Sequence, residues 1–444
     1  MSRLFGTDGI RGVANSELDC ALALKVGMAA AIIQARQHPR PLFLTGCDTR
    51  GSGDMLEAAL CAGICSAGGD VVRLGVVPTP AVAHLVPALG AQAGVMVSAS
   101  HNPYQYNGIK LFGSGGFKLT DAQEDEIEEM IRSGDLPRTG EVGRIRHSGD
   151  VVGKYIEHIA SCVSPLDGLR IALDCANGSA SRTAEPLFNS LGAEVTLICA
   201  EPDGRNINDG CGSTHIERLC GFIREHPGRF DIGFAFDGDA DRCIAADENG
   251  RELDGDCILA ILAERMRDEG ALDGGAIVAT VMSNIGLTRF AENNGMRVET
   301  TAVGDRYVLE RMLEGGYSLG GERSGHIIMT AHMTTGDGQL TAAKLAETLR
   351  RSGKRASQLC RMRQYPQLET KIHATPEMKS ILDRPAVAGY IKKCAESIPD
   401  GRLLVRASGT EPVIRIMAES GDADGLAGLV AGCAETLERM LSAD

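Results

Sequence analysis

Nowhere in this 444-residue chain does an apolar run reach the roughly 18–20 residues that a membrane-crossing helix needs, so no bilayer span is expected. The 14 cysteines include no Cys-x-x-Cys knuckle; they run from Cys20 to Cys433, mostly singly and inside apolar stretches. The closest two, Cys61 and Cys65, stand one helical turn apart in an Ala/Gly-rich segment. Such spacing outlines neither a zinc site nor a disulfide framework, and the thiols are expected to be reduced packing residues. No G-x-x-x-x-G-K-[ST] occurs, which removes the Walker A way of holding phosphates. Basic residues are outnumbered, 45 Lys and Arg against 59 Asp and Glu, and a net charge of −14 argues against a nucleic-acid partner. It does not argue against an anionic small molecule, whose capture depends on local Arg and Lys in a cleft. Residues 1–6 lack the apolar stretch of a signal peptide, so a cytoplasmic location is expected.

What is present is an ordinary globular composition, 43% hydrophobic and 23% charged, in a chain too long for one core. Three or four domains of about 100–150 residues each are expected. Apolar runs predict strands at residues 40–45, 70–74 and 93–97, with helices at 53–67 and 79–89. The pattern restarts with strands at 170–175 and 194–199 around a helix at 180–191. It restarts again with strands at 276–281 and 297–301 around a helix at 285–294. Strand–helix alternation of this kind implies parallel sheets covered by helices. After about residue 363 short strands at 370–373, 402–407 and 413–418 mix with two helices, which suggests a small α+β unit. The expected division is 1–150, 151–250, 251–365 and 366–444: three related α/β domains with mixed or mostly parallel sheets, then a C-terminal α+β domain.

Four motifs carry the chemistry. Ser98-Ala99-Ser100-His101-Asn102-Pro103 directly follows an apolar strand, where α/β sheets bind ligands, and Pro103 turns the chain so that a hydroxyl faces outward. Alone it is also a polar turn with a capping serine. Lys110 follows in Asn107-Gly108-Ile109-Lys110. Asp237-Gly238-Asp239-Ala240-Asp241-Arg242 sets three carboxylates at alternate positions of a loop, an oxygen-ligand set suited to Mg²⁺. An EF-hand would place Glu248 at its twelfth position, but its sixth needs Gly and here is Arg242. Gly320-Gly321-Glu322-Arg323-Ser324-Gly325-His326 offers Glu322 and Ser324 to vicinal sugar hydroxyls and His326 as a proton carrier. Arg406-Ala407-Ser408-Gly409-Thr410-Glu411-Pro412, with Arg415 beyond, has the hydroxyls, guanidiniums and glycine of a phosphate cradle. Two further loops, residues 5–12 and 48–53, place Arg11 and Arg50 among glycines; each alone is a loop with a surface Arg.

In this order the motifs resemble the α-D-phosphohexomutase superfamily over nearly the whole chain. The resemblance also rests on FGTDGIRG at 5–12, DCANG at 174–178, NIN at 206–208, CGSTH at 211–215, VGDRYV at 303–308 and RASGTEPVIRIM at 406–417. It is strongest toward bacterial members that act on glucosamine phosphates. It implies four domains around a central cleft, each contributing one motif. It also implies a phosphorylated Ser100 beside one Mg²⁺ held by Ser100, Asp237, Asp239 and Asp241. Transfer to glucosamine 6-phosphate would then proceed through a 1,6-bisphosphate to glucosamine 1-phosphate, a step toward UDP-N-acetylglucosamine. Lys110, Arg11 and His326 would share acid–base and charge-stabilising roles. Glu322 and Ser324 would meet the sugar, and Arg406, Ser408, Gly409, Thr410 and Arg415 the non-reacting phosphate. His101, Arg242, Asp305 and Arg306 stand in the same motifs, and a homodimer is usual for the group. The chain departs from the pattern at Arg323, where that group has Gln, and at Cys47, where it has a charged residue. The first bears on sugar preference; the second asks only for a packing role. Rival readings are a mutase of the same superfamily for mannose or glucose phosphates, a serine-phosphoester phosphatase, and a silent sugar-phosphate sensor.

Overall fold

The computed structural model describes residues 3–6, 8–137, 140–147, 149, 151–382, 384–398, 400–408 and 412–442. Its strands follow from the apolar runs. Leu42–Cys47 pairs in parallel with Asp70–Val76 on one side and Ala93–Val97 on the other. Tyr106–Gly113 returns antiparallel to Ala93–Val97, and Ile10–Val13 pairs antiparallel with that return strand. The four-strand arrangement recurs twice. Arg170–Asp174 lies between Glu194–Ile198 and Ile232–Phe236, with Cys243–Asp247 antiparallel to the last. Ala276–Thr280 lies between Arg297–Thr301 and Leu319–Gly321, with Ile327–Met329 antiparallel.

The recurrence decides where the motifs fall. In each sheet the third parallel strand meets its antiparallel return through a hairpin at its carboxyl end. Those hairpins are residues 98–105, 237–242 and 322–326. Ala93–Val97, Ile232–Phe236 and Leu319–Gly321 are buried at every position, as strands covered on both faces must be. A polar loop following such a strand has nowhere to go but the sheet's end, where ligands bind in α/β folds.

Two closely packed helices share the core of the first sheet. Cys20–Ala35 crosses Gly53–Ser66 with the backbones almost touching: a Cβ on Gly27 would lie 2.3 Å from the Leu60 carbonyl oxygen, and one on Gly63 would lie 2.1 Å from that of Leu24. Only glycine at both positions permits this approach. Around it Val26, Leu56, Leu60, Phe43 and Val95 pack into one core.

The chain forms two compact units, residues 1–282 with 296–361, and residues 283–295 with 362–444. The second has its own antiparallel sheet, Val413–Ser420 between Gln367–His373 and Gly401–Ala407. Ile372, Ile414 and Ile416 pack there with Leu426, Val430 and Leu437 of the terminal helix Ala423–Ser442. The helix Ile285–Asn293 belongs to this unit, where the Asn284 side chain at its N-cap donates to the Tyr365 carbonyl and accepts from the Tyr365 N–H. No helix among the described residues is long and apolar enough to cross a membrane.

Candidate active site

Ser100 sits at the first hairpin with φ +53°, a left-handed conformation that a non-glycine residue holds only when its surroundings impose it. Those surroundings are explicit. Arg50, which the sequence suggests is a surface residue, is buried. Its Nη2 donates to the carbonyls of Ser100 and Asn102, each at 2.8 Å, and its Nη1 to those of Pro103 and Tyr106 at 2.6 and 3.1 Å. Asp48 pairs with Arg50 at 2.9 Å and accepts from Ser98 Oγ at 2.6 Å, while Ser98 Oγ accepts the Ser100 N–H at 2.9 Å. Asn208 adds a second donor to the Ser100 carbonyl at 2.9 Å. Five loop carbonyl and amide groups are satisfied, and the Ser100 hydroxyl stays free to point at the second hairpin. Cys47, just ahead of this network, is buried as packing, its thiol donating to the Gly75 carbonyl.

Ser100 Oγ donates to Asp237 Oδ2 at 2.6 Å and lies 3.3 Å from His101 Nδ1. Gly238 allows the two hairpins to come this close, since a Cβ there would stand 2.6 Å from the Ser100 carbonyl oxygen. Asp237, Asp239 and Asp241 are buried, and one oxygen of each lies within 4.8 Å of the others. Burial, together with the neighbouring Asp241 and Asp239, holds the Asp237 carboxyl well above its ordinary range. Asp239 Oδ1 and Asp241 Oδ1 are buried without any hydrogen-bond partner. Three convergent carboxylates with two idle oxygens beside a serine hydroxyl fit a small hard divalent cation such as Mg²⁺, which takes carboxylate oxygens and leaves positions for phosphate.

Cations surround this acidic centre. Lys110 Nζ lies 2.9 Å from Asp239 Oδ2, 2.9 Å from Asp8 Oδ2 and 3.5 Å from Asp241 Oδ2. Burial opposes its charge, yet these carboxylates raise it well above the ordinary lysine value. Thr79, which no motif singles out, donates its hydroxyl to Asp239 Oδ2 at 2.5 Å and its N–H to the Asp239 carbonyl at 2.9 Å. His326 stands between Asp241 at 3.6 Å and Asp305 at 3.7 Å, and the Gly336 N–H donates to its Nε2 at 3.1 Å, which leaves Nδ1 to carry the proton toward Asp241. Burial works against a second proton on this ring, but Asp241 and Asp305 raise its pKa overall. Lys118 completes the row as a salt bridge between Asp8 and Asp305.

Two guanidiniums each keep a buried Nε without a hydrogen-bond partner. Arg11 pairs with Asp8 at 2.5 Å and reaches Asn102 at 3.4 Å, and its Nε has no partner; Arg242 Nε is also buried without one. Burial and the nearby Arg242 and Arg11 push His101 down to about 4, so it is neutral at physiological pH.

The other sequence candidates have partners of their own or lie beyond the described residues. Glu322 Oε1 accepts the Gly304 N–H at 3.1 Å, and Ser324 is exposed. Arg323 Nε donates to Asp254 Oδ2 at 3.1 Å. Arg306 pairs with Asp121 at 2.6 Å and donates to the Leu119 carbonyl at 3.1 Å. In the second unit Arg406 and Arg415 are direct cross-strand partners, and Lys371 faces Arg415 on the other side. Like charges placed opposite one another are unfavourable. Glu369 at 3.0 Å relieves Arg415, and Arg406 Nε is buried without a partner, which suits an anion. Lys379 Nζ donates to the buried Ser408's carbonyl at 2.6 Å. Gly409 and Thr410 lie outside the described residues.

The chain matches the family models of phosphoglucomutase/phosphomannomutase α/β/α domain I over residues 2–138, domain II over 153–250, domain III over 254–365 and the C-terminal domain over 373–436. It is 49% identical over 433 residues to the phosphoglucosamine mutase of Ruminiclostridium cellulolyticum, covering 96% of each chain. It is 49% identical over 451 residues to that of Brevibacillus brevis, covering 99% of this chain and all of the relative. Among solved structures it resembles a phosphoglucomutase/phosphomannomutase family protein of Burkholderia thailandensis, with a TM-score of 0.83, 26% identity, and coverage of 100% of this chain and 98% of the other.

Proposed function

The chain belongs to the phosphoglucomutase/phosphomannomutase family, on its phosphoglucosamine mutase branch, and from that premise we propose that it interconverts glucosamine 6-phosphate and glucosamine 1-phosphate through a phosphorylated Ser100. The observation that carries this reading is the Ser100 hydroxyl, buried 2.6 Å from Asp237 at a cluster of three carboxylates with two idle oxygens.

Ser100, Asp237, Asp239 and Asp241 would hold a Mg²⁺ ion, which would offset charge on the transferring phosphoryl group. The chain's own residues supply the rest. The carbonyl clamp of Arg50 and Asn208 fixes the Ser100 backbone, so the oxygen that carries the phosphoryl group cannot swing away. A free sugar hydroxyl attacks phosphorus as its proton passes to a neighbouring base, the bond to Ser100 Oγ breaks, Oγ takes up a proton, and a bisphosphorylated sugar results. Its other phosphoryl group then returns to Ser100. Lys110, kept charged by Asp8 and Asp239, balances the negative charge that builds up. His101 is the neutral base in reach of Oγ, and His326 holds a proton at Nδ1. The unmatched N–H groups of Arg11 and Arg242 would meet phosphate oxygens, and Arg406 and Arg415 would hold the phosphate that does not react. Glu322 and Ser324 would face the sugar hydroxyls. The same reading makes this a cytoplasmic enzyme on the route to UDP-N-acetylglucosamine.

The test is ³¹P NMR of the purified protein with Mg²⁺, a trace of sugar 1,6-bisphosphate, and glucosamine, glucose or mannose 6-phosphate in turn. Rapid formation of the amino-sugar 1-phosphate, with the neutral sugars slow, is the expected result, and exhaustive EDTA should stop it while the fold persists. Preference for glucose or mannose would assign the chain to the other mutases of its family. Inorganic phosphate as the main product would sink the mutase reading.

A further inference from the structure

A second cluster of reactive side chains lies in the second α/β block, outside the catalytic carboxylates. Asp174 ends the strand Arg170–Asp174, Cys199 follows Glu194–Ile198, and Cys211 lies in the loop beyond; one ligand-type atom from each falls within 4.8 Å of the others. Arg218 Nε donates to Cys199 Sγ at 3.2 Å, and Asn177 Nδ2 lies 3.9 Å from Cys211 Sγ. Cys199 is half-buried and Cys211 fully buried. A cavity of about 370 Å³ is lined by Ile198, Gly210, Phe222 and Arg218, the last being the residue that contacts Cys199.

Two chemistries suit two thiols and a carboxylate: soft-metal binding and thiol oxidation. The surroundings choose between them. A guanidinium in contact with the sulfur repels a metal cation and favours a thiolate. Both Asp174 oxygens are already committed, Oδ1 to the Ala176 N–H at 2.9 Å and Oδ2 to the Gly212 N–H at 3.0 Å. We propose that Cys199 and Cys211 are a redox-active thiol pair, with Cys199 attacking hydrogen peroxide and Cys211 closing a disulfide onto it.

The steps balance as follows. The Cys199 thiolate forms a bond to one peroxide oxygen, the O–O bond breaks, and the departing hydroxide takes a proton to become water. Cys211 sulfur then attacks the sulfenic sulfur of Cys199, and the S–O bond breaks. That hydroxide takes the Cys211 proton and leaves as a second water. Two thiols have lost two electrons and one peroxide has gained them. Acidity agrees with these roles: a hydrogen bond with Cys211 and contact with Arg218 hold the Cys199 thiol below its ordinary value despite burial, while Cys211 is pushed up. Cys61, buried beside Glu57 and pushed up to about 12, shows the inert alternative.

The pair is wired to the catalytic serine. Cys211 shares its loop with Asn208, whose Nδ2 donates to the Ser100 carbonyl at 2.9 Å and to that of Asn102 at 3.3 Å. Left-handed φ values at Ala176, Asn177, Cys199 and Asn208 mark a backbone wound tightly around the two thiols. Drawing Cys211 onto Cys199 shifts that loop and loosens the hold on Ser100, so the disulfide form is the less active one.

The experiment treats the full-length protein with hydrogen peroxide, blocks free thiols by alkylation, and maps disulfides by mass spectrometry. Trypsin cuts after Arg205, so the expected linkage joins residues 183–205 to 206–218. The joined peptides should weigh roughly 2 Da less than their sum, the mass of two hydrogens. Turnover should fall at least about fivefold and return with dithiothreitol, as a reversible disulfide requires. Cys199→Ser should keep basal turnover and resist peroxide, and Arg218→Ala should slow disulfide formation about tenfold. Mapping on the unsubstituted protein stands whatever sugar is turned over and whether or not a variant folds. Both thiols recovered free after peroxide, or a Cys199→Ser protein as sensitive as the unsubstituted one, would overturn the proposal. So would stoichiometric Zn²⁺ binding that shields both thiols from alkylation, which would make this a metal site.

Discussion

Ser100 reaches across 137 residues of sequence to donate a 2.6 Å hydrogen bond to Asp237, so the serine loop and the acidic loop are positioned by each other. Ser100→Ala removes the atom proposed to carry phosphate and only one of the hydrogen bonds Asp237 receives, since the Arg242 N–H still donates to Oδ1. Turnover should drop at least about a thousandfold with the melting temperature nearly unchanged. Asp237→Asn should also cripple turnover, and it should weaken Mg²⁺ binding by calorimetry. Near-normal activity in the Ser100→Ala protein would falsify the mechanism.

Asp337 predicts a pH dependence of stability. It caps the helix Gly338–Ser352, accepting from the Leu340 N–H at 2.9 Å and from the Tyr155 hydroxyl at 3.0 Å, and burial raises its carboxyl from 3.8 to about 6. A group whose pKa is higher folded than unfolded favours the folded state most when protonated. Its contribution is therefore full below pH 3.8, declines as pH rises toward 6, and is lost above. A shift of that size is worth roughly 2–3 kcal/mol. Asp337→Asn keeps the cap through Oδ1 and lets Nδ2 donate to the Tyr155 hydroxyl oxygen, but it cannot ionise. Relative to the unsubstituted protein it should gain stability in urea titrations between pH 4.5 and 7.5. Parallel curves for the two proteins would refute the assignment.

The crossing of Cys20–Ala35 with Gly53–Ser66 gives a packing test. Gly63→Ala puts a methyl group 2.1 Å from the Leu24 carbonyl oxygen, so the helices must separate. The expected cost is roughly 1–3 kcal/mol, read as a lower melting temperature with the sugar preference unaltered. An unchanged melting temperature would mean that the helices separate without loss.

Arg323 is the departure that bears on sugar choice, and its guanidinium is engaged with Asp254 at 3.1 Å. Arg323→Gln should therefore change the ratio of kcat/KM for glucosamine and glucose phosphates by less than about threefold. A larger change would show that this side chain reaches the sugar.

The residues that gather at the carboxylate cluster of the first unit were legible because they are local: a serine after an apolar strand, three aspartates in one loop, a histidine in a Gly-rich turn. Periodicity also located most of the parallel strands within a few residues, but not Leu319–Gly321, whose two glycines read as the start of a loop. Less visible were residues whose meaning depends on distant partners. Arg50 reads as a loop cation, yet the carbonyls it serves belong to a hairpin that only the fold brings to it. Thr79 opens an apolar helix and shows nothing of its grip on Asp239. The return strands Tyr106–Gly113 and Cys243–Asp247 escaped as strands because each follows its motif without a turn of standard chemistry. Cys199 and Cys211 look like two isolated thiols, because their neighbourhood is made by three loops meeting at one sheet end.

The repeated hairpin has a consequence for how such a protein can diversify. Each of the three loops hangs from its own sheet at an equivalent address, so an exposed loop residue such as Ser324 can be exchanged without disturbing the sheets. On the proposed reading, positions 322–325 can drift toward another sugar, whereas His326 stays tied to Asp241 and so to the loops that would carry the phosphoryl chemistry. An architecture that stores recognition and reactivity on separate copies of one device lets a lineage rewrite the first while leaving the second alone.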